Sequence, residues 1–226
     1  MATVSGVGTS LVQIRADQNS NAAAPKGTIS LRRLSHKIPK PARKEYEKGW
    51  SLRRQSRLDE AQVHYRRALE LDPQFVEAAN DLGALYFMQS HYDDSLQALE
   101  RALAIESESA PVLANLSANM MATGRYAEAG LLARRALAVD PVAVRTRYLY
   151  GLSSRASQKK YDAETQSLLE EAARSIPHAH LVLANLYRAK GDRTAARGAL
   201  EIHLAARKSQ PDPQRPQIES WLKSLH

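Results

Sequence analysis

From about residue 42 to residue 206 the apolar positions recur at spacings of three and four, the signature of amphipathic helices. Leu82, Leu85 and Tyr86 mark one such helix, and Leu96, Leu99, Ala102 and Leu103 mark the next. Outside this stretch the pattern changes. Residues 1–27 are Ser-, Ala-, Gly-, Asn- and Thr-rich and offer little to bury, so a disordered tail is expected. Residues 28–39, TISLRRLSHKIP, form a basic segment with Ile29, Leu31, Leu34 and Ile38 set into it, and Pro39 and Pro41 stop a helix from running through. We expect a basic arm over 28–41 that either docks on the folded domain or serves as a flexible linker. At the other end, QPDPQRP over 210–216 is a break, and Ile218, Trp221, Leu222 and Leu225 then fall on one helical face. A capping helix is expected over 213–226.

The helical stretch repeats itself. Gly49, Gly83, Ser117, Gly151 and Ala184 are small residues spaced 34, 34, 34 and 33 apart. Ala61, Ser95, Ala129, Ala163 and Ala196 each follow twelve residues later. Ala68, Ala102 and Ala136 form a further series, and segment ends recur as Leu71–Pro73, Val139–Pro141 and Ser175–Pro177. Small side chains at fixed phase are what two crossing helices need, since larger ones would push the backbones apart. Gly124 and Gly191 sit between the paired helices, where a left-handed residue is expected.

This set of positions resembles the tetratricopeptide repeat. The first unit fits as Gly49, Ala61, Tyr65, Ala68 and Pro73. The second fits as Leu82, Gly83, Tyr86, Tyr92, Leu99 and Ala102. The third fits as Leu116, Ala129, Ala136 and Pro141, and the fifth as Leu183, Ala184, Tyr187, Ala196 and Leu200. The resemblance implies an all-α fold: a right-handed α-solenoid of about five helix–turn–helix repeats, over 42–75, 76–109, 110–143, 144–176 and 177–206, with the C-terminal helix as cap. Three departures stand out. Ala133 is small where a large apolar residue belongs, leaving room for a neighbour. His203 replaces a small residue. The fourth unit fits only with two residues inserted near Lys159–Tyr161, which predicts an unusual joint between the fourth and fifth units.

The resemblance also implies a concave groove lined by the first helix of each unit. Carried onto this sequence, its groove positions give Arg43, Tyr46, Trp50 and Arg53, then Asn80 and Phe87. Asn115 matches a clamp position of the family, and Arg145, Tyr148, Arg155, Asn185 and Arg188 follow. Arginine can pair bidentately with carboxylates, aromatic rings supply contact area, and asparagine can bond both groups of an extended backbone. The expected partner is a protein or peptide carrying acidic groups and an apolar anchor. Some family members clamp an acidic chaperone tail, but of that clamp only Asn115 and Arg145 have counterparts here, which disfavours a co-chaperone role.

Composition narrows the picture. There are no cysteines, which excludes disulfides and thiolate chemistry in this chain. The net charge of +8 sits in the N-terminal third, where residues 1–75 hold 14 Lys/Arg against 7 Asp/Glu. That flank raises a second reading, an accessory factor touching nucleic acid or an anionic surface, though no nucleic-acid fold accompanies it. Residues 28–39 could also enter another copy's groove and drive self-association. No phosphate loop, HExxH or GxSxG occurs, and the histidines are scattered, so neither catalysis nor a metal or other cofactor is expected. No run is long and apolar enough to span a membrane, and the first residues lack a leader's basic and apolar regions. The cytoplasm is the expected compartment, with export after removal of a leader as the alternative.

Overall fold

The computed structural model describes residues 36–158, 162–208 and 212–225. Among these, eleven α-helices follow one another without a strand. Five antiparallel pairs are formed by α1 (Lys40–Arg54) with α2 (Leu58–Leu71), α3 (Val76–Met88) with α4 (Tyr92–Ile105), α5 (Ala110–Ala122) with α6 (Tyr126–Val139), α7 (Val144–Gln158) with α8 (Ala163–Ala173), and α9 (Ala179–Ala189) with α10 (Arg193–Ala206). Helix α11 (Arg215–Lys223) closes the stack. We call the first member of each pair A and the second B. Each B helix also packs on the next A helix, and successive A helices touch from the second pair to the fifth. The B helices fan apart, so the A helices line the concave side of an α-solenoid.

The small residues do what their phase predicts. A Cβ on Gly49 would meet the Tyr65 ring at 2.8 Å, and one on Gly83 would meet Leu99 at 2.6 Å. One on Gly151 would overlap Leu169 outright. In the third pair the size is exchanged: Ser117 takes the glycine's place opposite the small Ala133, and its hydroxyl donates to the Ala129 carbonyl at 2.8 Å. Tyr65 lies sixteen residues after Gly49, whereas Leu169 lies eighteen after Gly151. The two extra residues of the fourth unit therefore fall between these contacts, and the insertion point expected at 159–161 lies outside the described residues.

The unusual joint is not where the sequence placed it. The fourth and fifth units meet much as the others do, whereas α6 packs along α7 far more closely than other B helices pack on the following A helix. The cause is the small face of α6. A Cβ on Gly130 would meet Ser153 Oγ at 3.2 Å, and Ala133 gathers with Ala118, Leu149 and Tyr150. Tyr150 and Leu149 thus fill the room that Ala133 leaves.

Turns and ends follow the same register. Gly124 (φ 78°) and Gly191 (φ 80°) take the left-handed conformation, and Ser56 (φ 60°) and Ser90 (φ 63°) take it in the first two pairs. Asp162 and Asp192 cap α8 and α10 by accepting from the amides of Thr165 (2.7 Å) and Ala195 (2.8 Å). Arg101 donates to the Pro73 carbonyl and Arg135 to that of Ser107, so the same strut joins consecutive B helices one repeat apart. Ser107 in this way takes part in the strut although it is not the proline of its counterpart.

The two chain ends are tied differently. At the start, Ile38 packs against the first core cluster and His36 Nε2 lies 2.8 Å from Asp72 Oδ2. The rest of the proposed arm and the tail, residues 1–35, lies outside the described residues. Helix α1 begins at Lys40, two residues before the expected unit, because Pro41 sits in the first turn where its missing N–H costs nothing. At the other end, Ile218, Trp221, Leu222 and Leu225 join a second cluster with Leu183, Leu186 and Leu200. His203 is fully buried there, with Nδ1 3.0 Å from the Pro177 carbonyl and Nε2 3.2 Å from Asp212 Oδ2. It fills the place of a small residue by tying α10 to the segments before α9 and α11.

Candidate functional site

The A helices present a concave face with a polar row and a second row that is apolar at its centre and basic at its ends. Near the N-terminal ends of the A helices runs a chain of polar contacts. Tyr46 donates its hydroxyl to Asp81 Oδ2 at 2.9 Å, and Arg53 lies 3.5 Å from Asp81 Oδ1. Asn80 donates to Asp81 at 3.4 Å, Asn115 donates to Asn80 at 2.9 Å, and Arg145 donates to Asn115 at 3.2 Å. Two of these rungs, Tyr46–Asp81 and Asn80–Asn115, join residues 35 apart, so they repeat with the solenoid. The donors converge from both sides, Tyr46 and Arg53 from α1 and Arg145 through Asn115 and Asn80 from the later helices, on the Asp81 carboxylate.

The ladder stops in the fourth unit for a reason visible in the sequence. Asp81 and Asn115 are 34 apart, and the next two equivalents are the buried Leu149 and Val182. An apolar residue at that phase turns the strip into core.

The second row is apolar at its centre. Phe87 and Met121 pack against the cluster holding Ala118, Leu149 and Tyr150, and the Phe87 ring lies 5.7 Å from Tyr92. Tyr148 packs into the second core cluster, and burial pushes its hydroxyl pKa up. Tyr46 packs at 4.9 Å from Phe75 and 5.7 Å from Tyr65. Burial first, and then the Asp81 charge and hydrogen bond, push its pKa up as well. These three aromatic side chains are therefore half-buried scaffold as much as open surface. Trp50 differs: it is 45% exposed, with the Arg54 guanidinium 4.8 Å from its ring centre.

The exposed cations form no strip of their own: Arg43 and Arg145 lie near the N-terminal ends of α1 and α7, whereas Arg155 and Arg188 continue the row of Phe87 and Met121 at the repeat spacing, and all four are exposed. Arg188 lies over the Trp221 ring at 5.2 Å. Asn185 turns its amide back to the Leu181 carbonyl at 3.0 Å, within its own helix. The structure thus joins Tyr46, Arg53, Asn80, Asn115 and Arg145 in one network. It gathers Phe87 and Tyr148 into packing, and leaves Arg43, Trp50, Arg155 and Arg188 open.

Two residues of this face escaped the sequence reading. Asp81 is the hub of the ladder, and its signal was an acid beside Asn80 with Glu77 one turn earlier. Trp221 was expected in the cap, and it also stacks with Arg188 where the face ends. On the convex side, a trench of about 630 Å³ runs between α4 and α6, lined by Leu96, Leu103, Leu116, Met120 and Leu132 with Leu131 at its lip. Its residues belong to B helices and to the backs of A helices, where the groove pattern does not look.

Among the described residues, no group of His, Asp and Glu is arranged to hold a metal ion. No helix there is long and apolar enough to cross a membrane.

Residues 46–111 and residues 179–214 match models of the tetratricopeptide repeat. No curated protein matches the chain in sequence. Solved structures match in fold. PilW, described as a widely conserved type IV pilus biogenesis factor, superposes with a TM-score of 0.71 at 16% identity, covering 83% of this chain and 86% of its own. PilF of Pseudomonas aeruginosa gives 0.69 at 22% identity, covering 82% and 84%. YrrB, described as having an unusual peptide-binding site, gives 0.59 at 18% identity, covering 74% and 86%. At these identities the likeness is one of fold.

Proposed function

The chain belongs to the tetratricopeptide-repeat family, whose members are generally protein-interaction scaffolds or adaptors, and from that premise we propose that its concave face holds an extended segment or helix of a partner protein. The observation that carries the reading is the mixed polar, apolar and basic face itself. An apolar row with Phe87 and Met121 runs beside hydrogen-bonding groups and continues into the exposed guanidinium groups of Arg155 and Arg188. Such a surface suits a segment with an apolar anchor, backbone amides and acidic side chains. The peptide-binding site named for YrrB, a protein of the same fold, is in keeping with this use of the solenoid. Arg43, Tyr46, Trp50, Arg53, Asn80, Phe87, Asn115, Arg145, Tyr148, Arg155, Asn185 and Arg188 remain the proposed lining, with Asp81 added as the group that orders it.

The test is affinity capture from the native host with the full chain, repeated with Trp50→Ala and with Arg145→Glu. A specific partner should be reduced by either variant. A partner retained equally by both removes the concave-face reading. High salt serves as a second arm. Binding of nucleic acid through the basic flank would fall steeply and log-linearly with salt, whereas a complex anchored by apolar contacts falls much less.

A further inference from the structure

The sequence sets arginines at both ends of the concave face, and the structure treats the two ends differently. At the first end, Arg53 faces Asp81 and Arg54 lies on Trp50. Asp81 carries a carboxylate into the middle of that end, and Glu77 sits close enough to Tyr46 to act on its hydroxyl's pKa. Arg43 is exposed at this end as well, but an incoming acid there also meets the like charge of Asp81 and Glu77. At the far end, Arg155 and Arg188 occupy equivalent places near the C-terminal ends of α7 and α9, two helices in contact. Both are exposed. Among the described residues Arg155 has no ion pair or hydrogen bond, and Arg188 meets only the Trp221 ring.

We propose that the concave face is polar along its length: Arg155 and Arg188 receive acidic side chains of the partner segment, and the Asp81 end turns them away. This rests on the reading of the concave face as the binding surface, and it assigns each end a chemistry. Two neighbouring guanidinium groups without carboxylates offer bidentate sites to an acid and gain most from one. The same segment sets an apolar side chain on the strip of Phe87 and Met121. Met121 is on α5, one A helix before Arg155 and two before Arg188. At about 10 Å per helix step and about 3.3 Å per extended residue, the acid stands about three to six residues from the anchor. Helix-dipole stabilisation also favours Arg near a helix C-terminus, but it predicts a small change in stability and no effect on binding.

The experiment selects peptides from a random short-peptide display library on the full chain. Their composition is read, and a fluorescein-labelled selected peptide is then titrated by anisotropy. The expected peptides carry Asp or Glu about three to six residues from an apolar side chain. Arg155→Gln/Arg188→Gln should weaken binding about tenfold, Arg43→Gln/Arg53→Gln should weaken it by a smaller factor, and Arg67→Gln/Arg134→Gln on the B helices should leave it unchanged. Selection repeated on Arg155→Glu/Arg188→Glu should replace the acids by Lys or Arg. Melting curves of all variants verify folding, and the neutral Gln pair keeps the test valid if charge reversal unfolds the chain. Acidic peptides that lose binding with Arg43→Gln/Arg53→Gln instead overturn the assignment of ends while the concave reading stands. Peptides without acids overturn the acid requirement in the same way. Hydrogen exchange separates the remaining case: bound peptides that protect only B helices, or a selection that yields none, remove the concave reading and this proposal with it.

Discussion

The first three repeats and the last two are built over similar cores but wear different faces. In the first part, Tyr46, Asp81, Asn80 and Asn115 pass hydrogen bonds from helix to helix, and Arg145 at the start of the fourth repeat donates onto the end of that chain. In the last part, Leu149 and Val182 stand at the phase of Asp81 and Asn115, and the nearby arginines are open. The helix crossings beneath do not share this contrast. Gly83 against Leu99 in the second unit and Gly151 against Leu169 in the fourth are the same joint. A solenoid can therefore hold its packing rule constant while its exposed positions drift, because each repeat touches only its neighbours and the face is free of that constraint.

The sharpest way to break the comparison is to test whether the joints are really equal. Leu99→Ala and Leu169→Ala each empty a fully buried site, and each should cost about 2–5 kcal/mol in urea denaturation followed by circular dichroism. Adding Gly151→Ala to Leu169→Ala should then recover part of the loss, on the order of 1 kcal/mol. That double variant recreates the exchange of size that Ser117 and Ala133 already show. A glycine substitution that deepens the loss would mean that the fourth joint is not the second one repeated.

How much of this was legible in the sequence depends on the same distinction. Glycine or alanine every 34 residues reports a backbone crossing, so the repeat and its pairing could be read directly. The extra pair of residues in the fourth unit could also be read, because the phase of Leu169 and Ala172 shifted against Gly151. The place of the unusual joint could not. It depends on Gly130 and Ala133 facing α7, and nothing in a list of small residues says which neighbour they face. The groove residues were found by phase, but phase cannot tell an arginine held by Asp81 from one left open.

Tyrosines at the two ends sharpen the comparison at smaller scale. The Tyr65 hydroxyl is buried and has no hydrogen-bond partner among the described residues, whereas that of Tyr187 donates to Glu170 Oε1 at 2.9 Å. Tyr65→Phe should then be neutral or slightly stabilising, and Tyr187→Phe should cost about 0.5–1 kcal/mol. Alkali adds an independent reading. Burial first, then the Asp81 charge, pushes the Tyr65 pKa up to about 12, and burial with the Glu170 bond pushes that of Tyr187 to about 12. The unfolded chain loses these protons near the ordinary value of 10.0, so it binds fewer protons than the folded chain above that pH. The stability they contribute is complete below about pH 10 and is lost as pH rises through about 12. A pH series of urea midpoints should show Tyr65→Phe resisting alkali better than the wild type. Equal alkaline loss in both would mean that Tyr65 is not held in its protonated form by its surroundings.

The smallest expected effect lies in the turns. Ser56 and Ser90 hold the left-handed conformation in the first two units, where Gly124 and Gly191 hold it later. The conformation is fixed by the helix pairing, so serine adopts it at a cost that glycine avoids. Ser90→Gly should therefore stabilise by about 0.5 kcal/mol, the strain relieved exceeding the extra freedom glycine gains in the unfolded chain. Gly191→Ser should destabilise by a little more than that. The sequence pointed to the glycines alone, because glycine advertises a left-handed turn and serine does not. Yet Ser56, Ser90 and Gly124 are 34 apart, and the register places all three in one conformation. If Ser90→Gly instead destabilises, the serine contributes something at that turn beyond backbone shape, and the first units differ from the last in their joints as well as in their faces.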